Sequence, residues 1–181
     1  MHNRFFNASN KERRMTKHRI VIGLLTVVCL FIGIDNSRAQ TFDFVIETSQ
    51  ANETFTFRID SAAGFTIDWG DGTIETDLTG SANQSHSYVA AGIYTNRCSG
   101  TATRIAFGGT GTTPLLLRDI VSRLSDGVTG INSTAYMFYG ANTITQFTQA
   151  DWFDATSSNV TTMASMFVSA PPSIRISAAG M

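Results

Sequence analysis

The chain has 181 residues and a formal net charge of -1, an average that conceals two unlike parts. Seven of its 13 Lys and Arg residues lie in the first 39 positions, whereas from Gln40 onward six Arg and no Lys face twelve acids, a net charge of -6. That balance excludes the clustered basic surface a nucleic-acid partner requires. The same later region holds one His (His86) and one Cys (Cys98), so a zinc site, a Cys/His dyad or a Ser-His-Asp arrangement has almost no material to be built from. No cofactor is expected.

Residues 1–39 read as a signal peptide. Lys17, His18 and Arg19 precede fifteen almost wholly apolar residues, Ile20 to Ile34, and a short polar stretch ends in Ser37-Arg38-Ala39. Small residues thus stand at the -3 and -1 positions of a cut after Ala39. A transmembrane anchor is the alternative, but the apolar run falls short of the roughly 20 residues that span a bilayer. The expected location is therefore secreted or at the cell surface, with membrane contact only before cleavage. Cys29 reads as a small apolar member of the run, which leaves Cys98 alone in the exported product, without a disulfide partner.

Residues 40–109 read as short strands separated by turns. Phe42, Phe44 and Ile46 alternate with Asp43, Val45 and Glu47; Phe55, Phe57 and Ile59 alternate with polar neighbours; so do Phe65, Ile67 and Trp69. Period-two alternation in aromatic and β-branched residues predicts half-buried strands, and several of them at roughly ten-residue spacing predict a β-sandwich. Turn chemistry falls between them, at Ala63-Gly64, Gly70-Asp71-Gly72 and Ala91-Gly92. No stretch shows helical spacing.

Two motifs in this region carry a resemblance. Asp68-Trp69-Gly70-Asp71-Gly72, followed downstream by His86, Tyr88, Gly92 and Tyr94, resembles the paired signature of polycystic-kidney-disease (PKD) type domains over about 65 residues. The strand after Tyr94 departs from that pattern, running into Asn96-Arg97-Cys98. The resemblance implies an extracellular β-sandwich module that acts as a spacer or as a contact surface for protein or carbohydrate. Asp68, Asp71 and Asp77 could supply hard oxygens to calcium. The same residues suit a hairpin turn whose carboxylates bond local amides, with Gly72 supplying a positive φ. On the second reading, His86 and Tyr88 are structural and bond across to the Asp-rich turn.

Residues 110–181 change register after the small, turn-forming segment Gly108 to Pro114, read as a flexible linker. Ala135-Tyr136-Met137-Phe138-Tyr139-Gly140-Ala141 aligns with Ala164-Ser165-Met166-Phe167-Val168-Ser169-Ala170, four of seven positions identical at an offset of 29 residues. A repeat of that period predicts a stacked array. Ser158 to Phe167 closely resembles the S-N-V-T-x-M-x-x-M-F unit of BspA-like leucine-rich-repeat surface proteins of bacteria, and Ala150 to Asp154 resembles the acidic-aromatic approach to that unit. The fold class expected is thus mainly β: a PKD-like sandwich followed by a short, irregular leucine-rich-repeat-like solenoid segment. Met163, Met166 and Phe167 fall at i, i+3 and i+4, the spacing of one face of a helical turn, with Tyr136, Met137 and Phe138 as the equivalent face one repeat earlier, and all read as core. Two recognisable repeats leave the last face uncovered, so a chain truncated from a longer protein is also expected.

Three function classes follow. A hydrolase would need paired acids, and only Asp68 with Asp71 or Asp151 with Asp154 offer themselves, without nucleophile, phosphate loop or metal set. A binding protein would use exposed aromatics, with Tyr139, Trp152 and Phe153 as candidates; for Trp152 and Phe153 the competing reading is burial between repeats. The BspA-like resemblance implies adhesion to an extracellular protein or glycan. The third class is an inert spacer. The expectation is non-covalent binding without catalysis.

Overall fold

Strands with rings on one side must bury that side against another layer, and the placement of Phe42 to Trp69 follows from this requirement. The structure, a computed structural model, describes residues 40–153 and 159–171. Phe42–Thr48 forms β1, Glu53–Asp68 β2, Ile74–Tyr88 β3, Gly92–Thr101 β4 and Arg104–Ala106 β5. Leu117–Ile120 (β6), Val128–Thr129 (β7) and Gln146–Phe147 (β8) follow, with a 3-10 turn at Pro114–Leu116 and a four-residue helix, α1, at Leu124–Gly127. The fold is mainly β, an open mixed sheet in the order β3-β2-β4-β1-β6-β8, with β5 added to β2 and β7 to β4. The β4–β7 and β6–β8 pairs are parallel and the remainder antiparallel.

The long strand β2 changes partners midway. Arg58 to Asp60 pair with β5, whereas Ala63 to Asp68 pair with β4, and the register shifts between Ile59 and Ala62 and again before Phe65. Positive φ at Ser61 and Gly64 supplies the bend, and β3 follows it with positive φ at Asp77 and Gly80. The bend carries the first half of β2 over the face of β1, to which it is not hydrogen-bonded. Phe44 meets Phe55 at 5.9 Å, Phe57 at 5.6 Å and Phe107 at 4.8 Å between ring centroids. Every inward member of the three alternating runs, Phe42 through Trp69, has no exposed surface. Each such Phe contributes about 1.5–3 kcal/mol of burial, which makes this ring cluster the main source of stability.

Beyond β5 the chain stacks on itself. The amides of Thr134, Tyr136, Phe138 and Gly140 donate to the carbonyls of Thr162, Ala164, Met166 and Val168, and Ser133 forms a parallel bridge with Thr162. This is the register of the 29-residue sequence repeat. The same spacing begins earlier than the sequence reveals: β7 lies beside the end of β4, Asn132 donates to Thr103, and Thr143 reaches Leu115 across 28 residues. Phe107, Phe138 and Phe167 form a column of stacked rings, 6.0 Å and 5.8 Å apart. One hydrophobic cluster therefore runs from Phe42 to Ala170. Gly108 to Pro114, expected as a flexible linker, is pinned inside this arrangement. Gly108 donates to the Tyr136 carbonyl, Thr113 and Thr56 bond one another, and Asn83 donates to the carbonyls of Thr110 and Gly111.

The helical face expected at Met163, Met166 and Phe167 is corrected. Overlapping four-residue turns take its place, with the amides of Met166, Val168 and Ala170 donating to the carbonyls of Met163, Ser165 and Phe167. Ser165 and Ser169 have φ of 55° and 61°, and Tyr136 and Gly140 repeat those values at the equivalent places one repeat earlier, 60° and 72°. A left-handed residue at every fourth position, in every second turn, breaks the right-handed run and prevents a helix. The consequence for packing is that Met137, Phe138 and Met166 are buried and Phe167 is half-buried, whereas Met163 and Tyr136, both expected in the core, are 53% and 40% exposed and lie outside it.

Candidate functional site

The residues that the sequence singles out first build a structural knot. Trp69, at the end of β2, stacks on His86 of β3 with centroids 5.1 Å apart, and His86 Nε2 lies 2.7 Å from Asp71 Oδ2. Tyr88 follows on the same strand face, edge-on to His86 and 4.2 Å from Tyr94. Its hydroxyl lies 2.7 Å from Asn96 Oδ1 and 3.1 Å from the Trp69 carbonyl, all of them buried. Trp69 Nε1 donates to Glu75, and the Tyr94 hydroxyl donates to the Ala90 carbonyl close beside Gly92. Gly70 is obligatory: its φ is 78°, and a Cβ there would stand 2.4 Å from the Thr95 carbonyl oxygen.

The carboxylates of this turn are directed to the chain itself. Asp68 accepts the Gly70 amide at 2.9 Å and pairs with Arg97, and Asp71 accepts the Thr73 amide at 2.9 Å. Partial burial pushes the Asp71 carboxyl up, but its bonds to His86 and Thr73 outweigh that and hold it below the ordinary 3.8. Gly72 has a φ of 99°, as a hairpin turn at this place requires. Asp77 lies at a bend of β3. Among the described residues there is no group of three metal-ligating side chains. Asp68 and Asp71 do not act on a shared point, and Asp154, the proposed partner of Asp151, lies outside the described residues. Residues 1–39, expected as a signal peptide, lie outside them as well. Cys98 is fully buried in β4, where burial pushes its thiol far above the usual range.

The three candidate contact residues separate. Of its two readings Trp152 takes the core and not the contact surface: it is 2% exposed and packs at 5.1 Å on Phe138, with Phe147 and Phe153 beside it. Removing its large ring from water against these neighbours favours the core, and its carbonyl accepts the Leu124 amide at the head of α1. Phe153 is half-buried against it. Tyr139 is 38% exposed and meets Tyr136, 40% exposed, in an edge contact at 5.7 Å.

These two tyrosines border a cleft of about 570 Å3 that the sequence did not reveal, lined also by Arg58, Arg104, Gly108, Gly109, Thr110 and Thr112. The sheet places Arg58 and Asp60 two apart on β2 and sets Arg104 of β5 opposite Asp60. Arg58 Nε then lies 2.8 Å from one oxygen of Asp60, and Arg104 lies 2.6 Å from the other. Gly108 forms the floor, where a Cβ would stand 2.1 Å from the Tyr139 carbonyl oxygen. Nothing in the local sequence links these segments: one cation comes from each of two strands and the rings from a repeat turn, so only the Arg-x-Asp pair on β2 offered a signal. The cleft contains cations, hydroxyls and aromatic faces, a set suited to holding a polar ligand. Comparisons with protein-family models, curated proteins and solved structures found no match to this chain.

Proposed function

We propose that this protein is an exported bacterial surface protein that acts by non-covalent contact with an extracellular protein or glycan, without catalysis or cofactor. On this reading the first half is a PKD-like sandwich and the second a short stack of BspA-like leucine-rich-repeat turns. The observation that carries the proposal is the pair of exposed tyrosines beside two arginines in the cleft where sheet and repeat turns meet. Exposed tyrosine next to arginine is the composition of contact hot spots. Support for the fold reading comes from the interlocked Trp69-His86-Tyr88 unit and from the 29-residue register of the turns. The test is surface plasmon resonance of the full chain over immobilised extracellular-matrix proteins and mixed glycans. Saturable binding that Tyr139→Ser weakens supports the proposal, and absence of binding to every surface refutes it. Export is tested by sequencing the secreted product, which should begin at Gln40.

A second reading, one section of a longer array, is supported by the outward edge of the last described turn. Met163 and Val168 are 53% and 44% exposed there, and no described group accepts the amides of Met163, Ser165, Phe167 and Ser169. Such an edge has the register to receive a further turn of the same pattern. Appending a copy of residues 135–163 after the last turn should then raise the midpoint of thermal unfolding, and a lowered midpoint would refute it.

A further inference from the structure

The cleft has a charge that sets it apart from the rest of the surface. Arg97 stands between two acids, Asp43 and Asp68; Arg118 has Glu47; Arg123 has Asp151. Arg58 and Arg104 alone among the described arginines divide a single carboxylate, that of Asp60, between them. Each oxygen of Asp60 takes one guanidinium, so one positive charge remains uncompensated where both side chains line the same concavity. On a chain with net charge -6 from Gln40 onward, this is a localised anion-seeking point on an otherwise acidic body.

Two further observations define what fits. Tyr136 holds a φ of 60°, a conformation costly for a bulky aromatic. The equivalent place one repeat on is taken by Ser165 at 55°, so the turn itself does not call for a ring. The ring at Tyr136 is what the cleft gains, since it meets Tyr139 at 62° and the two offer aromatic surface on one wall. Thr110 and Thr112 bring hydroxyls to its rim.

We infer that this cleft binds a sugar ring bearing a carboxylate, the Arg58–Arg104 pair taking the carboxylate and the Tyr136–Tyr139 wall packing on the C–H face of the ring. The inference rests on the binding reading above and names its ligand class. A guanidinium fork matches a carboxylate in a two-bond geometry, a tyrosine face accepts the apolar side of a pyranose, and hydroxyls satisfy the remaining ring oxygens. A concavity of about 570 Å3 accommodates one or two such rings. An acidic peptide would share the charge but would leave the aromatic wall without a flat partner.

The test is isothermal titration calorimetry of the full chain with four probes: a uronic-acid oligosaccharide, a sialyl-oligosaccharide, the carboxyl-reduced form of the first, and an Asp/Glu-rich peptide. One or both carboxylate sugars should bind, with affinity falling as salt rises, and the reduced sugar should bind about tenfold or more weakly. Tyr139→Ser and Arg58→Gln, each shown folded by circular dichroism, should each weaken the carboxylate sugar by about tenfold, while Arg118→Gln leaves it unchanged. Equal affinity for the reduced sugar, preference for the peptide, or full affinity in both cleft variants overturns the inference. A chain that binds matrix proteins but none of the sugars loses this ligand and keeps the binding function; a chain that binds nothing loses both.

Discussion

Replacing Tyr88 by Phe separates a structural role of the Trp69-His86-Tyr88 unit from a ligand-binding one. The substitution keeps the ring against Tyr94 and His86 and removes a hydroxyl that reaches both Asn96 Oδ1 and the Trp69 carbonyl. Asn96 has no exposed surface, so its oxygen cannot turn to water for a substitute. An orphaned buried acceptor costs about 1–3 kcal/mol, and with two acceptors affected the upper half of that range applies, about 2–3 kcal/mol. With an unfolding entropy near ~2.1 cal/mol/K per residue over the folded part, that loss lowers the melting temperature by about 7–10 °C. The assay is thermal unfolding followed by circular dichroism on Tyr88→Phe, Asn96→Val and the double variant. Because the double variant replaces both partners by apolar groups, it should be more stable than the sum of the single losses, with a coupling of about 1 kcal/mol or more. An unchanged melting temperature in Tyr88→Phe, or strict additivity, would refute the reasoning.

The other predictions concern packing, pH and reactivity. Phe138→Ala, which empties the centre of the ring column, should cost about 3–5 kcal/mol by chemical denaturation. Met163→Ser, at an exposed turn, should change stability by less than about 0.5 kcal/mol, and a large loss there would restore it to the core. The Asp71 carboxyl sits below its unfolded value, so its contribution is present above about pH 4 and is lost as pH falls; Asp71→Asn should flatten that acid limb in a pH series of unfolding midpoints. Burial raises the Tyr88 phenol well above its ordinary 10.0, so its contribution is complete below that pH and declines as pH climbs past it. Tyr88→Phe should remove that alkaline limb. In the protein from Gln40 on, Cys98 should resist a thiol-alkylating reagent until the chain unfolds, and rapid native-state labelling would contradict its burial.

What the sequence disclosed and what it concealed divide along physical lines. The runs Phe42-Phe44-Ile46, Phe55-Phe57-Ile59 and Phe65-Ile67-Trp69 announced their strands because a half-buried strand writes its period into its side chains. The offset of Ala135 to Ala164 foretold the Ser133–Thr162 register because stacked turns repeat their core residues. The bend in β2 was half legible: Ala63-Gly64 marked a turn there, but it reads as a break between two strands, and the left-handed Ser61 gave no sign, being a residue type with no such preference. The stacking of β7 beside β4 was concealed because two-residue strands are too short to carry a period. Met163 misled because i, i+3, i+4 spacing arises equally from successive turns, and these expose their first residue. Trp152 left both readings open, contact residue or core between repeats, since an aromatic after an acid reads alike on a surface or at the edge of a core. The cleft was beyond reach because Arg58, Arg104 and Tyr136 meet only through the pairing of β2 with β5 and the turn stacked beyond them.

Sheet and repeat turns sharing one core is the claim on which the cleft depends, since its arginines belong to one part and its tyrosines to the other. The two tryptophans report on the two parts separately, Trp69 within β2 and its turn, Trp152 beneath the repeat turns. Thermal unfolding of the protein from Gln40 on, with Trp152→Phe and Trp69→Phe variants observed by fluorescence beside circular dichroism, reads each in turn. A single transition within each variant, with the fluorescence and dichroism midpoints coinciding, is the predicted result. A tryptophan signal from the repeat turns that melts well before the sheet would contradict the account.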